Sequence, residues 1–185
     1  MCKPVQTDYN FNMEETIAVG PEVKKKRTNI IGWREWASLP NLGLIAIKAK
    51  IDTGAKTSSL HAFDIHVEQK PGKKPYVYFK VHPLQNDLTL VVSCKALLVD
   101  QRMVSDSGGH KEERYVIKTW IVLGGFKKRI ELTLSNRETM KYRMLIGRAA
   151  LKQYYIDPAQ SYLTGKSSKQ KKFLKALKVQ IDSVV

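Results

Sequence analysis

Acidic side chains are scarce in this sequence. It carries 17 Asp and Glu against 32 Lys and Arg, a formal net charge of +15 over 185 residues. Cysteine is scarcer still, with Cys2 and Cys94 alone. Two cysteines cannot build a disulfide framework, and Cys94, inside an apolar run, reads as a small buried hydrophobe. No stretch approaches the ~18 consecutive apolar residues of a membrane-spanning helix. No apolar signal core precedes Lys24-Lys25-Lys26-Arg27, so a cytoplasmic location is expected. The four histidines, His61, His66, His82 and His110, form no His-Glu-x-x-His pair, which removes the commonest helical zinc-hydrolase motif.

What remains is globular: 43% hydrophobic and 26% charged residues, in a length that suits one domain with tails. The positive excess is not confined to an end, since residues 29–163 hold 21 basic against 12 acidic residues. A basic body favours acidic partners without choosing among them.

Residues 1–28 are polar and aperiodic and are expected to be a flexible arm. Residues 29–163 form the expected domain. Residues 164–185 form a basic tail, in which Phe173, Leu174, Leu177 and Ile181 share one helical face, the pattern of an amphipathic helix. Within the domain the periodicity is two. Ile45, Ile47, Ala49 and Ile51 alternate with Ala46, Lys48 and Lys50, which predicts a half-buried strand ending at Asp52. Tyr76–Val81, Leu88–Lys95, Leu97–Asp100, Arg114–Leu123, Lys128–Leu134 and Met144–Ile146 also read as strands, with turns at Pro71–Pro75 and Gly124-Gly125. A short helix is expected within 148–155. So many short strands predict an antiparallel barrel.

The chemistry-bearing motif is Asp52-Thr53-Gly54-Ala55. A lone Asp-Thr-Gly is an ordinary β-turn sequence, but this one ends a predicted strand. Met144-Leu145-Ile146-Gly147, a short apolar strand closed by glycine, lies 95 residues further on. Ser107-Gly108-Gly109-His110 marks a hairpin tip between them. In this order the motifs resemble those of the retropepsin-like aspartic peptidases: the catalytic turn, the substrate flap (Gly108, Gly109, His110) and the site-closing element (Ile146, Gly147, Arg148). Three longer segments are similar to a bacterial family within that superfamily, labelled ATP-dependent zinc protease and associated with RimK-type glutamate ligases. They are Gly32–Trp36, Lys50–Ala62 and Tyr142–Arg148.

The resemblance implies an all-β closed barrel of the acid-protease fold, with one short helix after the Gly-Arg element. It also implies an aspartic endopeptidase, with Asp52 as the catalytic carboxylate in a turn made by Thr53 and Gly54. Two carboxylates held close together share one proton, because both cannot ionise cheaply. One Asp-Thr-Gly per chain therefore calls for a homodimer. The basic body and the ligase association suggest acidic or glutamate-modified peptides as substrate. Lys56 stands where viral members carry an Asp that pairs with the Arg of the closing element, so Arg148 needs another partner.

Three alternatives accompany this reading. A catalytically silent binding module for acidic partners would keep the fold. A zinc hydrolase would recruit His61 beside Asp52. ATP binding is disfavoured, because Gly165-Lys166-Ser167 lacks the preceding glycine of a phosphate loop, position 160 being Gln. Nucleic acid is also disfavoured, since no stacking motif of aromatic residues interleaved with basic ones is read in the sequence. Tyr76, Tyr78 and Phe79 read as ordinary strand residues, and Lys127-Lys128-Arg129 as a solvated hairpin.

Overall fold

The computed structural model describes residues 29–85, 87–105, 109, 111–136 and 141–165. The arm expected over 1–28 and the helix expected over 173–181 lie outside them. Eleven strands run through the described residues: β1 Ile30–Gly32, β2 Arg34–Leu39, β3 Leu44–Asp52, β4 Ser58–His61, β5 Phe63–Glu68, β6 Tyr76–Val81, β7 Val92–Ser105, β8 Lys111–Leu123, β9 Phe126–Ser135, β10 Met144–Gly147 and β11 Tyr155–Asp157. Only a one-turn 3-10 helix, Pro40–Leu42, interrupts them.

Nine strands form one sheet in the order β2-β3-β10-β4-β9-β8-β7-β6-β5. Strand β8 also pairs with β2, Ala37 opposite Leu123 and Ser38 opposite Val122. Six strands are thus linked in a ring of pairings, and β7, β6 and β5 extend from it. Inside lie Leu39, Ile47, Leu60, Ile117, Leu132, Leu134, Met144 and Ile146, all essentially without solvent contact. Val77, Phe79, Val81 and Cys94 continue the core beneath the extension. Burial pushes the Cys94 thiol pKa up to about 12, as expected of an inert apolar-site cysteine.

The sheet is not purely antiparallel, as strand spacing alone suggested. β10 runs parallel to β3, β4 parallel to β9, and β1 parallel to β11. Each parallel pair joins segments far apart in the chain, which local pattern cannot reveal.

Strand β3 departs from the expected alternation at its start. Ile47, Ala49 and Ile51 are buried, but Ile45 is exposed and Ala46 buried. The cause is a register shift against β2 between Ala37 and Leu39. One extra residue on one strand swaps the faces beyond it. The expected strands Leu88–Lys95 and Leu97–Asp100 are parts of one long β7, which begins at Val92.

The hairpin between β8 and β9 turns at Gly124-Gly125, with φ of 55° and 82°. Two successive positive φ values are what a two-residue hairpin requires and what glycine supplies. The short helix expected within 148–155 is instead a pair of turns. Ala150 and Leu151 N–H groups donate to the Gly147 and Arg148 carbonyls, and Tyr154 N–H to Leu151.

Candidate active site

Asp52 is the last residue of β3, half-buried at the point where the chain leaves the sheet. Residues 53–57 loop out and return as β4. Between the outgoing and returning arms lies β10, parallel to β3 with Gly147 opposite Asp52, and antiparallel to β4 with Leu145 opposite Ser59. A strand from 95 residues downstream therefore threads the loop that carries the carboxylate.

The threading explains Gly147. A Cβ at this position would lie 2.6 Å from the Thr57 carbonyl carbon, 2.7 Å from its oxygen and 2.8 Å from the Lys56 oxygen. Those are backbone atoms and cannot step aside. The Gly147 N–H donates to Ser58 Oγ at 3.1 Å, a buried bond. Next, Arg148 N–H donates to the Ala55 carbonyl (2.9 Å) and Ala149 N–H to the Lys56 carbonyl (3.1 Å). The Asp52 loop is thus held along its length by backbone donors from the closing element.

Arg148 has found its partner. Its Nη1 donates to the Gly54 carbonyl at 2.9 Å, so a backbone oxygen takes the place of the carboxylate that Lys56 does not supply. At the carboxylate, Oδ1 of Asp52 accepts from the Ala55 N–H at 3.2 Å. A Cβ on Gly54 would sit 3.4 Å from that same oxygen, an ordinary contact, so close packing against Asp52 does not by itself demand glycine there. Thr53 and Gly54 are exposed, and Ile146 is buried in the core beside Ile51.

The structure brings Asp52, Thr53, Gly54, Ile146, Gly147 and Arg148 together. The expected flap is the hairpin of β7 and β8, paired as far as Ser105 opposite Lys111. Gly109 lies in its tip with φ 81°; Gly108 and His110 fall outside the described residues. An open cleft of about 530 Å³ runs from Lys56, Thr57 and Ser58 past Arg102 of β7 to Arg129 and Glu131 of β9. Arg102 is neutralised by Asp100 and Glu131. The Arg102 hydrogen bond, with Lys118 adding to it, holds the Glu131 carboxyl below the usual range. Lys56 and Arg129 have no carboxylate within ion-pair distance among the described residues. The run Lys127-Lys128-Arg129 is therefore more than a solvated hairpin. Lys128 clamps the carbonyls of Ala149 and Ala150 at 3.2 and 3.4 Å, while Arg129 lines the cleft.

His61, the candidate zinc ligand, is 2% exposed within β4. Among the described residues, no three of His, Cys, Asp or Glu converge as a metal site would require. Two residues that the motifs did not single out hold distant segments together, one of them at the site. Ser58 caps the Gly147 N–H. Glu35, fully buried on β2, accepts from Gly32 N–H (2.7 Å), Leu163 N–H (2.9 Å), Thr164 N–H (3.3 Å) and Thr164 Oγ1 (2.7 Å). It lashes residues 160–164 over the start of the domain, where the Gln160 oxygen would lie 2.4 Å from any Cβ on Gly32. The buried Glu within Gly-Trp-Arg-Glu-Trp was the available signal, since an unpaired carboxylate in a β-run needs several donors.

An Asp-Thr-Gly loop threaded by an apolar-Gly-Arg strand, on an all-β scaffold, defines a retropepsin-like aspartic-peptidase domain. Residues 30–167 match the family described as RimB-like, retropepsin-like aspartic endopeptidase RimB. The chain belongs to that family. Its curated relatives include proteins named probable alpha-L-glutamate ligase. That of Shewanella pealeana is 45% identical over 137 residues, and that of Desulfotalea psychrophila is 47% identical over 142 residues. These matches cover 74% and 76% of this chain but 30% of each relative, so the chain spans under a third of their length. Among solved structures, the Legionella pneumophila protein Lpg0085, of unknown function, is 32% identical with a TM-score of 0.61 over 73% of this chain and 97% of its own. Among the described residues, no helix is long and apolar enough to cross a membrane.

Proposed function

We propose that the chain is an aspartic endopeptidase that works as a homodimer, with Asp52 of each copy forming the dyad across a two-fold axis. The observation that carries this reading is the threaded Asp52 loop, with Gly147 packed against the backbone of Lys56 and Thr57. Such a loop holds one carboxylate rigidly at the surface of the sheet. The ionised member of the pair takes a proton from water as the oxygen attacks the peptide carbonyl. The protonated member donates to that carbonyl oxygen. The two titrations belong to the pair. The β7–β8 hairpin of each copy closes over the substrate and excludes water.

The cleft supports acidic or glutamate-modified peptides as substrate. Lys56 and Arg129 flank it without carboxylate partners among the described residues, while Arg102 is already neutralised. The glutamate-ligase names of the longer relatives favour the same chemistry and a functional link to a RimK-type ligase. Cleavage of a peptide library enriched in glutamate, with sedimentation to measure mass, tests the proposal. A dimer that loses cleavage in Asp52→Asn, with an unchanged melting temperature, supports it. A strict monomer, or full activity in that variant, overturns it. Salt-sensitive binding of acidic peptide without any cleavage favours the silent binding module.

A further inference from the structure

The extension beyond the six-strand ring has two unlike faces. Val77, Phe79, Val81 and Cys94 point into the core. The opposite face collects rings. Cross-strand register sets His66 of β5 beside Tyr78 of β6 and Lys95 of β7, and Glu68 beside Tyr76 and Leu97. Phe63 lies beside Lys80 in the same register. His66 stacks on Tyr78, with centroids 5.3 Å apart and planes 6° from parallel. Phe63 stacks on His82 at 4.5 Å and 14°. The Lys95 ammonium sits over both tyrosines, 4.5 Å from the Tyr76 centroid and 4.9 Å from that of Tyr78. Tyr76 and Leu97 are 36% and 44% exposed.

Charge surrounds this face. Lys80 is paired with Asp64, and Lys70 with Glu68. Lys73 and Lys74, exposed in the turn that joins β5 to β6, have no ion-pair partner among the described residues. An exposed sheet face of aromatic rings, edged by unpaired lysines, is the chemical complement of an unpaired nucleotide strand. Bases stack on rings and phosphates meet ammonium groups. A base arriving on Tyr76 would displace Lys95 from the ring face and give it a phosphate in exchange, so the cation is never left without a counter-charge. Lys73, Lys74, Tyr76, Tyr78 and Lys80 lie in one short segment, but His66 and Lys95 join them only through the register of β5 and β7 with β6.

We infer that the outer face of β5, β6 and β7 binds single-stranded nucleic acid. The inference is independent of the peptidase reading. It is read by fluorescence anisotropy of a labelled oligouridine on the full chain, at about 50 mM and about 200 mM salt. Tyr76→Ala should weaken binding about 5- to 100-fold, in line with the loss of one stacked base, and Tyr78→Ala, whose ring already lies between His66 and Lys95, should weaken it less. Tyr76→Phe should retain affinity, since the ring remains. The double change Lys73→Ala, Lys74→Ala should flatten the salt dependence by roughly one to two in slope. Arg129→Ala, in the cleft, should leave binding near the wild-type value. Thermal melts of all variants establish that they are folded. Unchanged affinity in folded Tyr76→Ala and Tyr78→Ala overturns the inference, because plain charge attraction then accounts for binding. So does equal competition by duplex, absence of binding at low salt, or a preference of this face for oligoglutamate over oligouridine.

Discussion

Replacing Gly147 by Ala adds one methyl group where the closing strand passes through the Asp52 loop. The new carbon would stand 2.6 Å from a backbone carbon and 2.7 and 2.8 Å from two backbone oxygens. Relief requires β10 to withdraw from between β3 and β4. Overpacking of this kind costs about 1–3 kcal/mol. Withdrawal also stretches the 3.1 Å bond from the Gly147 N–H to Ser58 Oγ, worth about 0.5–1.5 kcal/mol. Together, about 2–4 kcal/mol of stability should be lost. For a chain of this size that lowers the melting temperature by about 5–15 °C, measured by circular dichroism or calorimetry. Gly54→Ala is the matched control, because its methyl meets only Asp52 Oδ1 at 3.4 Å. It should change stability by less than about 1 kcal/mol. If Gly147→Ala melts within a degree or two of the wild type, or Gly54→Ala falls as far, then steric admission of β10 is not what the glycine provides.

Other expectations follow from the same geometry. Ser58→Ala removes the acceptor of a buried N–H and should cost about 1–3 kcal/mol, read from urea unfolding with an unchanged m-value. Glu35→Gln places an amide donor among four donors and should cost about 2–3 kcal/mol; limited proteolysis should then cut first within 158–165. The Glu131 carboxyl has its pKa lowered by Arg102. Its contribution to stability is therefore complete above the unfolded value of about 4.3 and is lost as pH falls through the lower folded value. Glu131→Gln should accordingly narrow the gap between melting temperatures at neutral pH and below about pH 4, and an unaltered gap would count against that pairing.

Parts of this architecture were legible in the residues themselves. Strand β6 has the bounds read from the sequence, Tyr76–Val81, because a run of β-branched and aromatic residues follows directly on the Pro71–Pro75 turn. Asp52 stood out through its Asp-Thr-Gly motif at a strand end, and Gly147 because a strand passing so close to the Lys56–Thr57 backbone needs a residue without a side chain. The exposure of Ile45 was not legible, since it depends on a bulge set by the pairing of β2 with β3. The helix expected after Gly147 was not found. Ala149, Ala150 and Leu151 are good helix formers, but the Ala149 N–H bonds to the Lys56 carbonyl and the Ala149 and Ala150 carbonyls to Lys128. Tertiary partners outbid local propensity there. Ser58 and Glu35 act on groups 89 and up to 129 residues away, a distance no local pattern encodes.

The parallel pairing of β1 with β11 places Ile30 opposite Tyr155, and Glu35 holds the backbone of Leu163 and Thr164. The first and last described segments of the domain thus lie side by side. Adjacent ends of this kind let a module be carried within a longer polypeptide without its sheet being pulled open. β1, the first described strand, pairs with β11, so that pairing cannot be completed until residue 157 has been made.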